Sequence, residues 1–176
     1  MGTSHIRNIL EGCMPEFELT AVADLKEERR NAMAELYPGV SIYTDGSELI
    51  NSGKVDAILV ATPHYLHPTY AIEGLNAGLH VMIEKPAGVY TKQVEEMNEV
   101  AANSDKTLAI MFNQRTNPCY IKLREILQGG EFGDIKRVNW IITDWYRTQS
   151  YYDSGDWRET WSGEGGGVLL NQCPHQ

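Results

Sequence analysis

The stretch Asp56-Ala-Ile-Leu-Val-Ala61, closed by Thr62-Pro63, decides the fold. It is a near-continuous apolar run of strand length, the pattern of a parallel strand covered on both faces. Outward from it the same logic repeats. His67 to Ala77 has helical spacing and closes on Gly78, Leu79 to Ile83 is another buried strand, Lys92 to Asn103 another amphipathic helix, and Thr107 to Phe112 a further strand. Upstream, Glu18 to Ala23 reads as a strand ending at Asp24, and Lys26 to Leu36 as a charge-rich helix broken by Pro38-Gly39. Val40 to Tyr43 reads as a short strand, and Ser47 to Asn51 as a helical turn before Gly53. Strands alternating with helices of about 10 residues imply right-handed crossovers and an α/β, doubly wound parallel sheet.

The two ends of the chain depart from this rhythm. Thr3 to Leu10 reads as a short helix opening on Gly2, with Thr3 or Ser4 available as a cap. A dinucleotide site needs a glycine-rich turn after its first strand, a helix N-terminus aimed at the pyrophosphate, and an acid about 20 residues later for the ribose hydroxyls. Gly2 and Asp24 supply the last two parts; the first strand and the earlier glycines are missing, so the sheet is expected without its first strand. After Phe112, Pro118 to Leu127 reads as a helix stopped by Gly129-Gly130, and Ile135 to Asp144 as a longer strand of alternating character. Residues 145–167 are rich in Trp, Tyr, Asp and Gly without periodicity, and a loop of that length is usually functional. A boundary is therefore expected near 113, with a dinucleotide-binding domain over residues 1–112 and the beginning of an α+β substrate domain over 113–176.

Composition narrows the function. The 176 residues are 42% hydrophobic and 22% charged, an ordinary globular mix that disfavours disordered and coiled-coil classes. A net charge of -9, with no basic run longer than Arg29-Arg30, argues against a nucleic-acid partner and for a small molecule. No apolar run approaches the roughly 20 residues of a membrane span. Cys13, Cys119 and Cys173 form no CxxC pair, which fits reduced thiols in a cytoplasm, and the N-terminus lacks a signal-peptide layout.

Candidate site residues cluster at strand ends. A carboxylate at Asp24 accepts two ribose hydroxyls and repels a 2'-phosphate, which favours NAD over NADP although Arg29 and Arg30 lie nearby. Thr62, Pro63 and His67 follow the strongest strand, at the edge where open parallel sheets bind ligands, and His67 is expected to pack by a cofactor. His64, His67 and His80 lack an acidic fourth ligand, and no metal is expected. The sharpest local feature is Glu84-Lys85-Pro86 directly after Leu79 to Ile83. Pro86 biases Lys85 toward an extended conformation that points its ammonium at the ligand crevice.

Taken together, Glu84-Lys85-Pro86, Thr62-Pro63 with His67 four residues after Pro63, Asp24, and Gly165-Gly-Gly-Val-Leu-Leu-Asn171 followed by His175 resemble the Gfo/Idh/MocA family of NAD(P)-dependent oxidoreductases. The resemblance covers essentially the whole chain. It implies a Rossmann-like N-terminal domain, a C-terminal mixed-sheet domain, oxidation of sugars, inositols or related alcohols, and homo-oligomers. It also implies catalytic roles for Lys85 and His175, with Glu84 and Lys85 beside the cofactor. A secondary alcohol releases hydride only as its proton departs, so a base and a positive charge on the developing alkoxide are required. His175 suits the base and Lys85 the electrostatic partner.

Three departures stand out. Asn171 stands where many members carry an acid, which puts more weight on His175. The first strand is missing, and the chain stops at Gln176 before most of a second sheet, so activity is expected of a longer reading frame and not of this span. A helix over 168–176 would put Asn171 and His175 on one face, with Pro174 making it irregular. In the long loop, Tyr152, Trp157 and Arg158 offer the rings and charge that sugar sites employ. Asp153, Asp156, Glu159 and Glu164 are an alternative set of glycosidase carboxylates whose separation nothing in the sequence fixes. An NAD-recycling glycosidase of the same family and a cofactor-binding regulator without turnover remain as alternative functions.

Overall fold

Apolar segments covered on both faces must pair their backbone groups with neighbouring strands, because a buried N–H or C=O left unmade costs about 1–3 kcal/mol. The computed structural model, which describes residues 1–143 and 146–176, shows that pairing to be parallel throughout. In chain order the first elements are α1 (Gly2–Leu10), β1 (Ala21–Ala23), α2 (Glu27–Leu36), β2 (Ser41–Tyr43) and α3 (Gly46–Ile50). They are followed by β3 (Ala57–Val60), α4 (Leu66–Asn76), β4 (His80–Ile83), α5 (Thr91–Ala102) and β5 (Leu108–Ile110). This is the alternating α/β order of a Rossmann-like fold. The described residues divide into two compact units, Met1–Met111 and Phe112–Gln176.

In the first unit the strands form two parallel sheets, β1-β2 and β3-β4-β5. Ala21 faces Ser41 in the first; Ala57 faces His80, and Val81 faces Leu108, in the second. In the doubly wound order 3-2-1-4-5-6 the first strand runs between the second and the fourth. If β1 and β2 are the second and third of that order, the break between the two sheets falls where the first would lie.

The core follows from the alternation within β3 and β4. Ile58 and Val60, with Val81 and Ile83, are buried among Ala71 and Leu75 of α4, Met97 of α5, Ile50 and Leu79. Helix α4 lies against β3, β4 and α5, and Gly74 sets how closely. A Cβ at Gly74 would meet Ile58 Cδ1 at 2.7 Å and Val81 Cγ2 at 2.9 Å, so only a glycine lets the helix sit at this depth. At Gly78, which ends the turn after α4, φ is +78°, a conformation that favours glycine.

Several boundaries differ from the sequence reading. Helix α1 begins at Gly2 itself, with Met1 at its N-cap and no side-chain cap, so neither Thr3 nor Ser4 caps it. β1 is only three residues long, against the expected Glu18 to Ala23.

The second unit contains α6 (Pro118–Gln128), α7 (Gln149–Tyr152), α8 (Val168–Asn171) and two short 3-10 turns, Asn113–Thr116 and Cys173–His175. Asn117 caps α6 by accepting from the Cys119 N–H at 2.9 Å, and Pro118 occupies a first-turn position that needs no N–H partner. The expected strand over Ile135 to Asp144 is not formed in residues 135–143, and Asp144 lies outside the described residues. Its alternating pattern has no adjacent strand to pair with among the described residues, and Ile135, Val138, Ile141 and Ile142 are exposed. The expected helix over 168–176 stops at Asn171, because Pro174 has no N–H to donate back to Leu170.

Replacing Gly74 with Val should lower the unfolding free energy by about 1–3 kcal/mol through overpacking against Ile58 and Val81. Urea midpoints of the two proteins check this, and equal midpoints would mean that α4 can withdraw from the sheet without cost.

Candidate functional site

In the first unit the candidate residues gather where the parallel strands end. Thr62 and Pro63 follow β3, and Glu84, Lys85 and Pro86 follow β4. The Glu84 N–H donates to Val60 O at 2.9 Å, which ties the two ends together. The Lys85-Pro86 peptide bond is cis.

His67, 1% exposed, staples these loops: Nδ1 lies 2.7 Å from Pro86 O and Nε2 lies 2.9 Å from Thr62 O. Both partners only accept. A neutral imidazole donates to one of them, and an imidazolium to both. His80 is committed elsewhere, with Nδ1 accepting from the Thr107 N–H at 3.1 Å. His64 is buried with its ring centroid 5.9 Å from that of His67. No group of three potential metal-ligating side chains occurs among the described residues.

Glu84 is buried, and its Oε1 lies 2.6 Å from Nε2 of His5 in the first turn of α1. A carboxylate only accepts, so that Nε2 carries the proton. The other oxygen, Oε2, accepts from the Lys85 N–H at 3.3 Å. Burial pushes the Glu84 carboxyl up. The hydrogen bond and charge of His5, with the N–H and ammonium of Lys85, outweigh burial and hold it below the ordinary glutamate value.

The structure offers three features that a dinucleotide would use. The N-terminus of α1 is free of any side-chain cap, which leaves its first N–H groups for a phosphate. Gly2 packs there over Ala61, where an added Cβ would meet Ala61 Cβ at 3.8 Å. Thr62 Oγ1 is buried without a hydrogen-bond partner in the protein, as expected of a hydroxyl awaiting a ligand group. Asp24, just after β1, accepts from the Lys26 N–H at 2.8 Å and from Arg29 Nη1 at 3.2 Å, so it also holds the turn that leads into α2. Two carboxylate oxygens retain further acceptor capacity for hydroxyls. These residues fit the group.

In the second unit, a cavity of about 490 Å³ is lined by Tyr152, Glu164 and Asn171 together with Arg147, Trp161 and Gln172. Glu164 and Asn171 are both buried, and Asn171 Nδ2 donates to Glu164 Oε1. Glu164 Oε2 also accepts from the Glu159 N–H at 3.2 Å. The carboxylate therefore fixes the amide, with Oδ1 of Asn171 at the opposite end as an acceptor. Arg147 Nη2 donates to Gln172 Oε1 at 2.7 Å.

Other expected substrate residues are used differently. The Arg158 guanidinium lies 4.3 Å from the Tyr151 ring centroid and 4.6 Å from that of Trp157, and Nη1 donates to the Tyr151 hydroxyl. Neither Trp157 nor Arg158 lines the cavity. His175 stands edge-on to Phe112 with ring centroids 6.4 Å apart, in the 3-10 turn and not on α8 with Asn171. Of the four loop carboxylates, Glu164 alone is buried. Sequence reasoning missed His5, which faces a partner 79 residues away, and it missed Arg147. For Glu164 the available signal was its place directly before the triple glycine.

Parallel strands joined by crossover helices, with polar groups gathered at the strand ends, define the nucleotide-binding Rossmann class. Residues 1–112 match the family described as "Oxidoreductase family, NAD-binding Rossmann fold", and residues 120–176 match the "GFO/IDH/MocA C-terminal domain". The chain belongs to the Gfo/Idh/MocA oxidoreductase family. It is 36% identical over 148 residues to inositol 2-dehydrogenase 2 of Paenarthrobacter aurescens, covering 80% of this chain and 43% of that protein. It is 33% identical over 120 residues to D-glucoside 3-dehydrogenase of Escherichia coli, covering 68% and 34% respectively. The crystal structure of the WlbA dehydrogenase from Chromobacterium violaceum, in complex with NADH and UDP-GlcNAcA, superposes with a TM-score of 0.84 at 29% identity. That match covers 98% of this chain and 49% of the other. The chain thus spans less than half the length of these relatives, or about half for the solved structure. No helix among the described residues is long and apolar enough to cross a membrane.

Because the Glu84 carboxyl is depressed in the folded state, its contribution to stability is present above the unfolded glutamate value of about 4.3 and is lost as pH falls through the folded value. Replacing Glu84 with Gln should flatten the decline of stability as pH falls below the unfolded glutamate value of about 4.3. Urea midpoints across that range check the difference, and parallel curves would show that the carboxylate is not held by its neighbours.

Proposed function

We propose that the whole protein is an NAD-dependent oxidoreductase that transfers a hydride between nicotinamide and a CH–OH group of a sugar, cyclitol or sugar derivative. The observation that carries this reading is the Glu84-Lys85-Pro86 turn, which sits at the carboxyl end of β4 beside the unpartnered hydroxyl of Thr62 after β3. Inositol 2-dehydrogenase 2 and D-glucoside 3-dehydrogenase, among the relatives, support the substrate class by name.

When bound, the cofactor supplies the hydride acceptor. Gly2 at the N-terminus of α1 would hold the pyrophosphate and Asp24 the ribose hydroxyls, with Thr62, Pro63, His67, Glu84 and Lys85 bordering the remainder. The Lys85 ammonium binds the substrate hydroxyl oxygen and stabilises the negative charge that grows there as the C–H bond breaks. An imidazole nitrogen of His175 takes the hydroxyl proton, so the carbon leaves as a carbonyl and the proton stays on the protein. Asn171 orients a neighbouring hydroxyl, and Tyr152, which lines the same cavity, adds a ring to the sugar-facing surface. Trp157 and Arg158, outside that cavity, serve it only through the packing of the Arg158 guanidinium on the rings of Tyr151 and Trp157. We assign the cofactor to residues 1–112 and the beginning of the substrate domain to 113–176. The exposed thiols of Cys13, Cys119 and Cys173 fit a cytoplasmic enzyme, and the family resemblance supports a homo-oligomer.

Asp24 favours NAD over NADP, so Asp24→Ala should weaken NAD while relatively sparing NADP. Calorimetry that finds NAD affinity unchanged would remove Asp24 from the site.

In the whole protein, Lys85→Ala and His175→Ala should each lower turnover by about 10² to 10⁴ and leave cofactor binding largely intact. Turnover is followed as net reduction of NAD with inositols and free sugars. Wild-type rates in either variant would break this mechanism. NAD-neutral release of nitrophenol from a nitrophenyl glycoside would instead identify a glycosidase that recycles its cofactor, and NAD binding without turnover of any sugar or cyclitol would favour a regulator.

A further inference from the structure

We propose that His5 is a positioning residue that couples the cofactor-facing helix α1 to the Lys85 turn. The inference rests on the function proposed above only for its cofactor. The tie itself is structural. His5 lies in the first turn of α1, within four residues of the uncapped N-terminus, and reaches across the unit to a carboxylate that it meets at 2.6 Å. Its side chain is 14% exposed and that of Glu84 8%, so water competes little for the contact.

Glu84 is a poor choice for a mere surface ion pair. Its backbone N–H is bonded to Val60, its Oε1 to His5, and its Oε2 to the N–H of the residue it precedes. The carboxylate thus fixes the first peptide of the turn from inside, while His67 fixes the far side through Pro86 O. A shift of α1 moves His5, and His5 moves the carboxylate that orients Lys85. Binding at the helix N-terminus would then set where the ammonium points. His5 touches no reacting atom in this scheme and acts only through Glu84.

Hydrogen exchange of the whole protein, read by mass spectrometry on peptides covering residues 84–90, tests the tie. His5→Ala should speed exchange there by about tenfold, with residues 108–110 of β5 unchanged. His5→Gln, whose amide can still donate to Glu84, should restore slow exchange, and Glu84→Gln should reproduce the fast phenotype. Saturating NAD should slow the turn in wild type and His5→Gln but not in His5→Ala. Exchange at 84–90 within about twofold of wild type in His5→Ala, or no rescue by His5→Gln, overturns the proposal. So does an equal rise at 108–110, which would make His5 a general stability residue, and so does equal slowing by NAD in all three proteins. If wild type binds no NAD, the proposed function and the coupling to cofactor both fall, while the ligand-free comparison still decides whether His5 holds the turn.

Discussion

A parallel sheet delivers its strand ends into loops whose backbone carbonyls point inward, and those carbonyls must be met by something other than a strand. Here one imidazole meets two of them. His67, almost wholly buried, stands between the carbonyl of Thr62 after β3 and that of Pro86 after β4. A neutral ring donates to one of them at a time, and a buried acceptor left unmade costs about 1–3 kcal/mol. Thr62, Glu84 and Lys85 all stand on the two loops that this ring joins. Their placement is a by-product of satisfying backbone polarity.

What the sequence revealed follows from range. Asp56 to Ala61, Leu79 to Ile83 and the helices between them were legible because their burial is written into consecutive residues, and the structure places β3, α4 and β4 within one or two residues of that reading. Asp24 and the Glu84-Lys85-Pro86 turn were visible because each ends a strand. Contacts across long separations left no local mark. The imidazole of His5 and the carboxylate of Glu84 are ordinary residues until the fold brings them together. Ile135 to Thr143 failed for the opposite reason: an alternating pattern states which face wants burial but cannot supply the neighbouring strand. Arg158 has the composition of a sugar contact, yet the rings of Tyr151 and Trp157 take its charge locally.

In the second unit a buried carboxylate and a buried amide are paired beside one cavity. Glu164 accepts from Asn171 Nδ2, so a buried carboxylate lies against the amide and holds it in a single orientation. A free amide offers donor and acceptor indifferently, whereas a clamped one does not. In the sequence Glu164 is one of four loop carboxylates offered as an alternative glycosidase set; in the structure it determines what Asn171 can offer.

The strand pairings also carry a kinetic consequence. Their partners are separated by 20 residues in β1-β2 (21 and 41), 23 in β3-β4 (57 and 80) and 27 in β4-β5 (81 and 108). Each crossover is therefore a short loop to close, and closure entropy rises only slowly with such lengths. A nascent chain emerging at about 5–20 residues per second completes one such unit every few seconds and need not wait for the next. Assembly can proceed in the order of synthesis, with each strand laid against one already made, and the interval between β2 and β3 is where that run of local closures is interrupted.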